Sequence, residues 1–178
     1  MTLSGVCVET ARLKLLPLNA RFNDDLFRLF HDPQVADWLF LTGPPTRAQL
    51  EARTTLHEQI WAERGYGMFA VVEKASDRFV ARVGAMLTAE TGRMEIAWST
   101  VREAWGKGYA AEAARASVDF TFAHSNLDAL DCYLRPDNTA SRRVAEKTGF
   151  LYQDTRFLYD RPLRYYRITR GPKPKTPH

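Results

Sequence analysis

The segment from residue 93 to residue 134 constrains the fold more than any other part of the chain. Residues 93–99 (RMEIAWS) predict a strand, the alanine-rich residues 108–124 have helical spacing, and residues 129–134 (ALDCYL) predict a second strand. A strand–helix–strand unit of this length can return parallel to its first strand. The sequence therefore predicts a sheet that contains at least one parallel pair of strands.

The segments around this unit favour antiparallel pairing. Residues 66–73 and 78–88 are rich in Val and Phe, and with 93–99 their short connections predict an antiparallel meander. The chain begins with a strand at 11–18, and Thr46 with Gln49 predicts a capping box at the start of a helix. The predicted helices are 20–31, 46–64, 108–124 and 138–149, and the last strands are 150–158 and 163–169. A short piece that holds Val35, Trp38 and Leu39 follows the first helix. This order indicates a mixed α+β domain.

Length and composition indicate one ordinary globular domain. The chain has 178 residues, of which 45% are hydrophobic and 26% charged, and no apolar run approaches the ~18 residues of a membrane span. The first residues have no basic start and no apolar block, so no secretory signal is expected. Two cysteines, Cys7 and Cys132, cannot form a disulfide framework, and the four histidines lack zinc-ligand spacing. We therefore expect a cytoplasmic protein with no metal site.

The net charge of +4 arises at the C-terminal end. From Arg161 onward the sequence has six basic residues and no acidic one. Nucleic-acid binding requires basic residues clustered on one face, and a basic tail alone does not supply them. We expect neither nucleic acid nor a membrane as a partner.

The segment Trp105-Gly106-Lys107-Gly108-Tyr109-Ala110-Ala111 lies between a predicted strand and a predicted helix. Its two glycines allow backbone amides to turn towards a ligand, and the helix start adds the positive end of a dipole. Such a turn is suited to an anion, most often phosphate. Alone, the segment is also compatible with a plain loop.

Three phosphate-binding motifs compete for this segment. A P-loop requires GxxxxGK followed by Ser or Thr, which is absent. The dinucleotide pattern GxGxxA fits Gly106, Gly108 and Ala111, but it belongs in the first strand–helix–strand unit of a doubly wound sheet, and too little chain follows here. The remaining interpretation is a turn for the pyrophosphate of coenzyme A.

A second helix start follows the second strand of the unit. Asn138 is a natural N-cap, and Ser141 lies three residues further on. The Asn138 amide could hydrogen-bond a ligand and the Ser141 hydroxyl could face a reacting group, although a simple helix cap explains both residues equally well. The two helix starts lie at the same end of neighbouring parallel strands, where open sheets bind ligands.

The residues from Glu95 to Phe150 resemble the GCN5-related N-acetyltransferase (GNAT) family, specifically its ribosomal-protein-alanine acetyltransferase-like (RimJ/RimL-type) branch. The resemblance lies in EIAW, WGKGYAAEA and NTASRRVAEKTGF, and extends more loosely over about residues 9–169. The family's phosphate motif begins with Arg or Gln, and Trp105 stands at that position here.

This resemblance implies a mixed αβα sandwich. Its central sheet would have about seven mostly antiparallel strands, with the fourth and fifth, 93–99 and 129–134, parallel and splayed around an acyl-CoA, and about four helices. The domain would span residues 9–170, with flexible termini at 1–8 and 171–178.

The resemblance also implies direct transfer of an acetyl group from acetyl-CoA to a primary amine, either a protein N-terminus or a small molecule. A catalytically silent acyl-CoA-binding regulatory module is the alternative. The coenzyme would contact the residues Ala97, Trp98, Ser99, Val101, Gly106, Lys107, Gly108, Tyr109, Ala110, Ala111, Asn138 and Arg143. The protein would be a monomer or a homodimer.

Two catalytic residues follow from the same resemblance. Glu95 would act as general base, directly or through a water, and alternation along the strand places it on the same face as Ala97 and Ser99. Many relatives carry a tyrosine acid at the position of Ala145, so Ser141 is the substitute proton donor. The acceptor pocket would lie between the first helices and the last strand pair. Core packing is the favoured role of each candidate lining residue, and these are Trp38, Phe40, Trp61, Tyr66, Tyr152 and Tyr159.

Overall fold

A single eight-stranded sheet forms the centre of the computed structural model, which describes residues 5–171. In chain order its strands are β1 (Val8–Glu9), β2 (Leu13–Pro17), β3 (Met68–Glu73), β4 (Arg78–Thr88), β5 (Arg93–Thr100), β6 (Ala129–Leu134), β7 (Leu151–Leu158) and β8 (Arg161–Thr169). They lie in the order β1-β2-β3-β4-β5-β6-β8-β7. Every neighbouring pair is antiparallel except β5 and β6, which are parallel.

Within residues 5–171, five α-helices cover the two faces of the sheet. They are α1 (Asn23–His31), α2 (Pro33–Leu39), α3 (Arg47–Arg64), α4 (Tyr109–Ala123) and α5 (Thr139–Thr148). One hydrophobic core joins α4 and α5 to one face, and a second joins α1, α2 and α3 to the other. The predicted αβα sandwich and its parallel pair are thereby confirmed.

The structure has one strand and one helix more than the sequence predicted. Val8 and Glu9 pair with Leu15 and Lys14 and form β1. The short piece after α1 is a helix of its own, because the Asp32 carboxylate caps it by accepting the Gln34 amide at 3.0 Å. Of the flexible termini predicted at 1–8 and 171–178, residues 1–4 and 172–178 lie outside the described residues.

The parallel strands β5 and β6 separate soon after they meet. In the described part of the chain, Glu95 and Asp131 are the one pair in register between them. By contrast, β4 and β5 stay paired from Ala81 and Thr100 to Thr88 and Arg93. The edge of β5 after Glu95 therefore faces a gap.

Among the described residues no helix is long and apolar enough to span a membrane.

Candidate functional site

The gap between β5 and β6 opens into a small cavity of about 170 Å³. Ile96, Ala97 and Trp98 of β5 form one wall, and Cys132 to Leu134 of β6 form the other. Asn138 and Ser141, at the start of α5, close one end. The cavity therefore brings together part of the predicted site, namely Glu95, Ala97, Trp98, Asn138 and Ser141. Ser99, Val101 and the glycine turn at 106–111 are not among its lining residues.

A larger cavity of about 870 Å³ adjoins the first on the side of α1, α2 and α3. Its walls come from α3, from the loop between α2 and α3, and from the face of β4 and β5 that carries Met86 and Ala97. Both its size and its mostly apolar wall are typical of a small-molecule site. Six of the described residues line both cavities, and they are Leu39, Arg82, Glu95, Ala97, Tyr159 and Arg161.

Glu95 lies where the two cavities meet. Burial raises the pKa of Glu95 to about 7, and the nearby charge of Arg82 opposes the shift only in part. A carboxylate with a pKa near neutrality accepts and releases a proton readily at pH 7, as a general base must. The structure thus gives the predicted base a matching environment.

Two cationic residues beside Glu95 were not predicted from the sequence. Arg82 of β4 lies opposite Ser99 of β5, and Arg161 begins β8. Burial lowers the pKa of Arg82 to about 10, so it stays protonated at neutral pH. Arg82 comes close to Glu95 through the pairing of β4 with β5, and Arg161 through the position of the last hairpin. A local sequence motif predicts neither of these arrangements.

Tyr159 reaches both cavities from an unusual turn. Tyr159 and Asp160 connect β7 to β8, and both have positive φ, 51° and 57°. Two-residue hairpins of type I′ require this conformation, which non-glycine residues adopt at a cost. The Glu90 carboxylate accepts the Tyr159 backbone N–H at 2.8 Å and helps to hold the turn.

The glycine turn has the backbone conformation that its sequence predicts. Gly106 and Gly108 have positive φ, 76° and 80°, and Gly106 has open space around the position of a Cβ. Gly108 is the N-cap of α4 and supplies no side-chain cap, so the first amides of the helix remain available. This arrangement suits an anion such as a diphosphate.

The N-terminal strand region holds this turn in place. Arg12 donates to the Lys107 carbonyl at 2.9 Å and pairs with Glu112 at 2.7 Å, and Thr10 donates to the same carboxylate at 2.6 Å. Tyr109 is buried and its hydroxyl donates to Glu73. The Tyr109 side chain therefore points away from the turn, which leaves only its backbone for a ligand.

Asn138 and Ser141 are linked by a helix cap. The Asn138 side-chain oxygen accepts the Ser141 backbone N–H at 2.9 Å. The side-chain NH₂ of Asn138 and the Ser141 hydroxyl take no part in that cap and are still available to a ligand.

Some predicted residues lie elsewhere. Arg143 is exposed on α5 and lines neither cavity. Of the six aromatic residues predicted for the acceptor pocket, Trp38, Phe40 and Tyr159 line the cavities. Trp61 and Tyr66 line neither cavity and are buried in the core that includes α4, which is the alternative role expected for them. Tyr152 also lines neither cavity and is 51% exposed on β7.

Comparison with known proteins agrees with this geometry. Residues 12–151 match the family described as "Acetyltransferase (GNAT) domain". The chain is 31% identical over 162 residues to "Uncharacterized protein YkkB" of Bacillus subtilis, which covers 88% of this chain and 92% of that protein.

Solved structures share the fold. The ribosomal-protein-S5-alanine acetyltransferase of Vibrio fischeri has a TM-score of 0.76 at 17% identity, covering 92% of this chain and 96% of that one. AAC(6')-Ib in complex with paromomycin and acetyl-CoA has a TM-score of 0.72 at 18% identity, covering 89% of this chain and 93% of that one.

Proposed function

The chain belongs to the GNAT acetyltransferase family, and on that premise we propose that it transfers an acetyl group from acetyl-CoA directly to a primary amine. The observation that carries the proposal is the position of Glu95 at the junction of two cavities. One cavity would receive the acyl-bearing arm and the other the acceptor. Both reactants would then meet beside a single carboxylate.

The residues present are suited to coenzyme A. The glycine turn and the uncapped start of α4 offer backbone amides from Gly106 to Ala111 for the pyrophosphate. Lys107 adds an exposed positive charge. The backbone of Ala97, Trp98, Ser99 and Val101 lies along the gap, where an extended arm could pair with β5 as an added strand.

Two further side chains complete the proposed coenzyme site. The NH₂ group of Asn138 would donate to an amide carbonyl of the arm, because its oxygen already caps α5. Arg143, exposed one helical turn beyond the cap, would reach the nucleotide end.

In the reaction, the amine nitrogen bonds to the thioester carbon and the carbon–sulfur bond breaks. Glu95 would take the proton that the amine loses, directly or through a water. The departing thiolate would take a proton through Ser141, which lines the smaller cavity and would regain its own proton from water. Backbone amides of β5 would stabilise the carbonyl oxygen as it gains negative charge.

Tyr159 is a second group that could protonate the thiolate. Burial raises the pKa of Tyr159, and the charge of Glu95 raises it further, so the hydroxyl keeps its proton at neutral pH. Since Tyr159 lines both cavities, it stands on the path between the two reactants.

Calorimetry and a thiol-release assay test the proposal. Coenzyme A should bind the purified protein, and acetyl-CoA should release free thiol when an accepted amine is supplied from a broad panel. An absence of coenzyme A binding by the folded protein contradicts the proposal. Binding without thiol release for any amine would instead favour a silent acyl-CoA-binding module.

A further inference from the structure

The larger cavity carries more positive than negative charge. Arg53, Arg82 and Arg161 line it, and Glu95 is the one carboxylate among its described lining residues. His57 also lines it and is neutral at pH 7, because burial and the charges of Arg82 and Arg53 lower the pKa of His57 to about 4. The cavity therefore has an excess of two or more positive charges, and a molecule that binds there should carry negative charge.

The buried ends of these side chains have unused donors. Within residues 5–171, the Nε atom of Arg82 and the Nε and Nη1 atoms of Arg161 are buried without a hydrogen-bond partner. Buried polar atoms are nearly always paired, and an unpaired charged donor is costly. Arg82 and Arg161 both line the cavity, so an acceptor group received there could bind guanidinium groups that the described part of the chain leaves without a full set of partners.

Glu95 does not neutralise the three arginines. Its pKa is raised to about 7 rather than lowered, so much of the Glu95 population is uncharged at neutral pH. The rest of the wall is apolar, with Leu26, Phe30 and Ile60 among its members. The cavity thus combines a positive region, one titratable carboxyl group and a hydrophobic surface.

We propose that this cavity selects an acceptor that carries a carboxylate and an apolar body in addition to its amine, as an apolar amino acid does. The inference rests on the proposed acetyl transfer. The carboxylate would bind the guanidinium groups of Arg82 and Arg161, with Arg53 adding charge at the exposed side. Planar guanidinium groups bind carboxylates through paired hydrogen bonds, and the amine would then face Glu95.

The same charge distribution disfavours polycationic acceptors. An amine with several positive charges and no anion would meet Arg53, Arg82 and Arg161 with like charge, which is unfavourable in a partly buried site. The complex of AAC(6')-Ib with paromomycin therefore shows what this fold can accommodate, and the charges of this cavity favour a different class of acceptor.

Binding of the acetylated products tests the inference without requiring turnover. We would titrate the N-acetyl derivatives of leucine, methionine, phenylalanine and tryptophan, and their carboxamides, into the protein with and without coenzyme A. At least one acid should bind about ten- to a hundred-fold more tightly than its amide, as expected for hydrogen bonds to charged groups. If no acid binds more tightly than its amide, including the case in which none binds, the inference is wrong.

Matched arginine variants locate the effect. Arg53→Gln should reduce the preference for the acid several-fold, whereas Arg64→Gln, an exposed arginine at the end of the same helix and outside both cavities, should not. Arg161→Gln should abolish most of the preference, and the charge-retaining Arg82→Lys should keep part of it if Arg82→Gln fails to fold. An unchanged preference in Arg53→Gln and Arg161→Gln contradicts the inference.

The coenzyme titration separates the two proposals. Loss of coenzyme A binding would contradict the proposed function, while the acid-over-amide preference can still be measured in the coenzyme-free protein. Retained coenzyme binding and thiol release without any preference for carboxylates would contradict only the inference on the acceptor.

Discussion

Glu95 and Asp131 are opposite each other at the one register position that joins β5 to β6 among the described residues. Their surroundings differ. Asp131 is buried and satisfied, since it accepts the Tyr165 hydroxyl at 2.9 Å and pairs with Arg93 at 2.9 Å. Glu95 faces both cavities, and burial, with a smaller effect from the Asp131 charge, raises its pKa to about 7. One carboxylate thus holds the strands together, and the other is available for chemistry.

Replacing Glu95 with Gln should lower kcat by about 10²–10⁴-fold, because general bases contribute about that much. Affinity for coenzyme A should stay unchanged, since Glu95 is not among the residues proposed to contact the coenzyme. In the wild type, kcat should rise with pH through about 7 as Glu95 loses its proton, and this rise should vanish in Glu95→Gln. Steady-state kinetics across pH measure both effects, and a fully active variant would place the base elsewhere.

Two groups with opposite pKa shifts should shape the pH dependence of stability. The pKa of Glu95 is raised from 4.5 to about 7, so the folded state holds a proton that the unfolded state has lost, and stability falls as pH rises between these values. The pKa of His57 is lowered from 6.5 to about 4, so the unfolded state binds the extra proton and stability rises with pH in that window.

Single variants should separate these opposing effects. Glu95→Gln should make the free energy of unfolding increase more steeply between about pH 4 and 6.5. His57→Gln should make it decrease more steeply between about pH 4.5 and 7. Urea titrations at a series of pH values provide the measurement, and identical slopes in the wild type and both variants would contradict the prediction.

Gly108→Val should abolish most coenzyme A binding, because a side chain at this position strains the left-handed backbone and crowds the approach to the turn. Gly92→Val is the matched control, since Gly92 also has positive φ, 65°, with open space around it, but lies in the β4–β5 turn. Both variants should lose similar stability, and only the first should lose affinity by calorimetry. Lys107→Ala should weaken binding only modestly. Equal affinities of the folded glycine variants would refute the proposed pyrophosphate site.

Asn138 has two separable roles. Asn138→Ala should lose the cap to Ser141, with a cost of about 1 kcal/mol, and should also weaken coenzyme binding. Asn138→Asp keeps the capping oxygen and lacks the NH₂ donor, so it should retain stability and still bind the coenzyme more weakly. If Asn138→Asp binds coenzyme A as the wild type does, Asn138 is only a helix cap.

Ser141→Ala and Tyr159→Phe should distinguish the two candidate proton donors. Each substitution removes a hydroxyl and little else, and both residues line the smaller cavity. The substitution that removes the true proton donor should lower kcat by about tenfold or more and leave the affinity for coenzyme A unchanged. Single-turnover thiol release compares the two, and full activity in the double variant would show that water protonates the thiolate.

Local patterns in the sequence were sufficient for most of the fold. The capping box at Thr46 and Gln49 is present with both of its hydrogen bonds. The predicted bounds of β3, β4 and β5 agree with the observed strands to within two residues. Helical spacing after the capping box also predicts that Leu56 is buried together with Leu50 and Trp61. That prediction is wrong for Leu56, which is 57% exposed and lines the larger cavity. Helical spacing shows which residues share a face, but it does not show where the neighbouring element ends.

The site was predictable only where short motifs contain it. The glycine turn and the Asn138 cap lie within consecutive residues, and both have the predicted backbone. Arg82 and Arg161 come from strands far apart in the chain and gain their importance only from burial beside Glu95. No spacing rule brings such residues together, because strand register and the approach of β8 determine their positions.

The early separation of β5 and β6 divides the sheet into two halves, which share a single register pair within residues 5–171. An extended ligand lying in the gap would form hydrogen bonds with the backbone of β5 where β6 does not. The ligand would thereby occupy the position of a neighbouring strand. Unfolding of the β1–β5 half and the β6–β8 half should then become more cooperative when the gap is filled. Amide hydrogen exchange at residues 97–100 would slow in that state even though no part of the fold has moved.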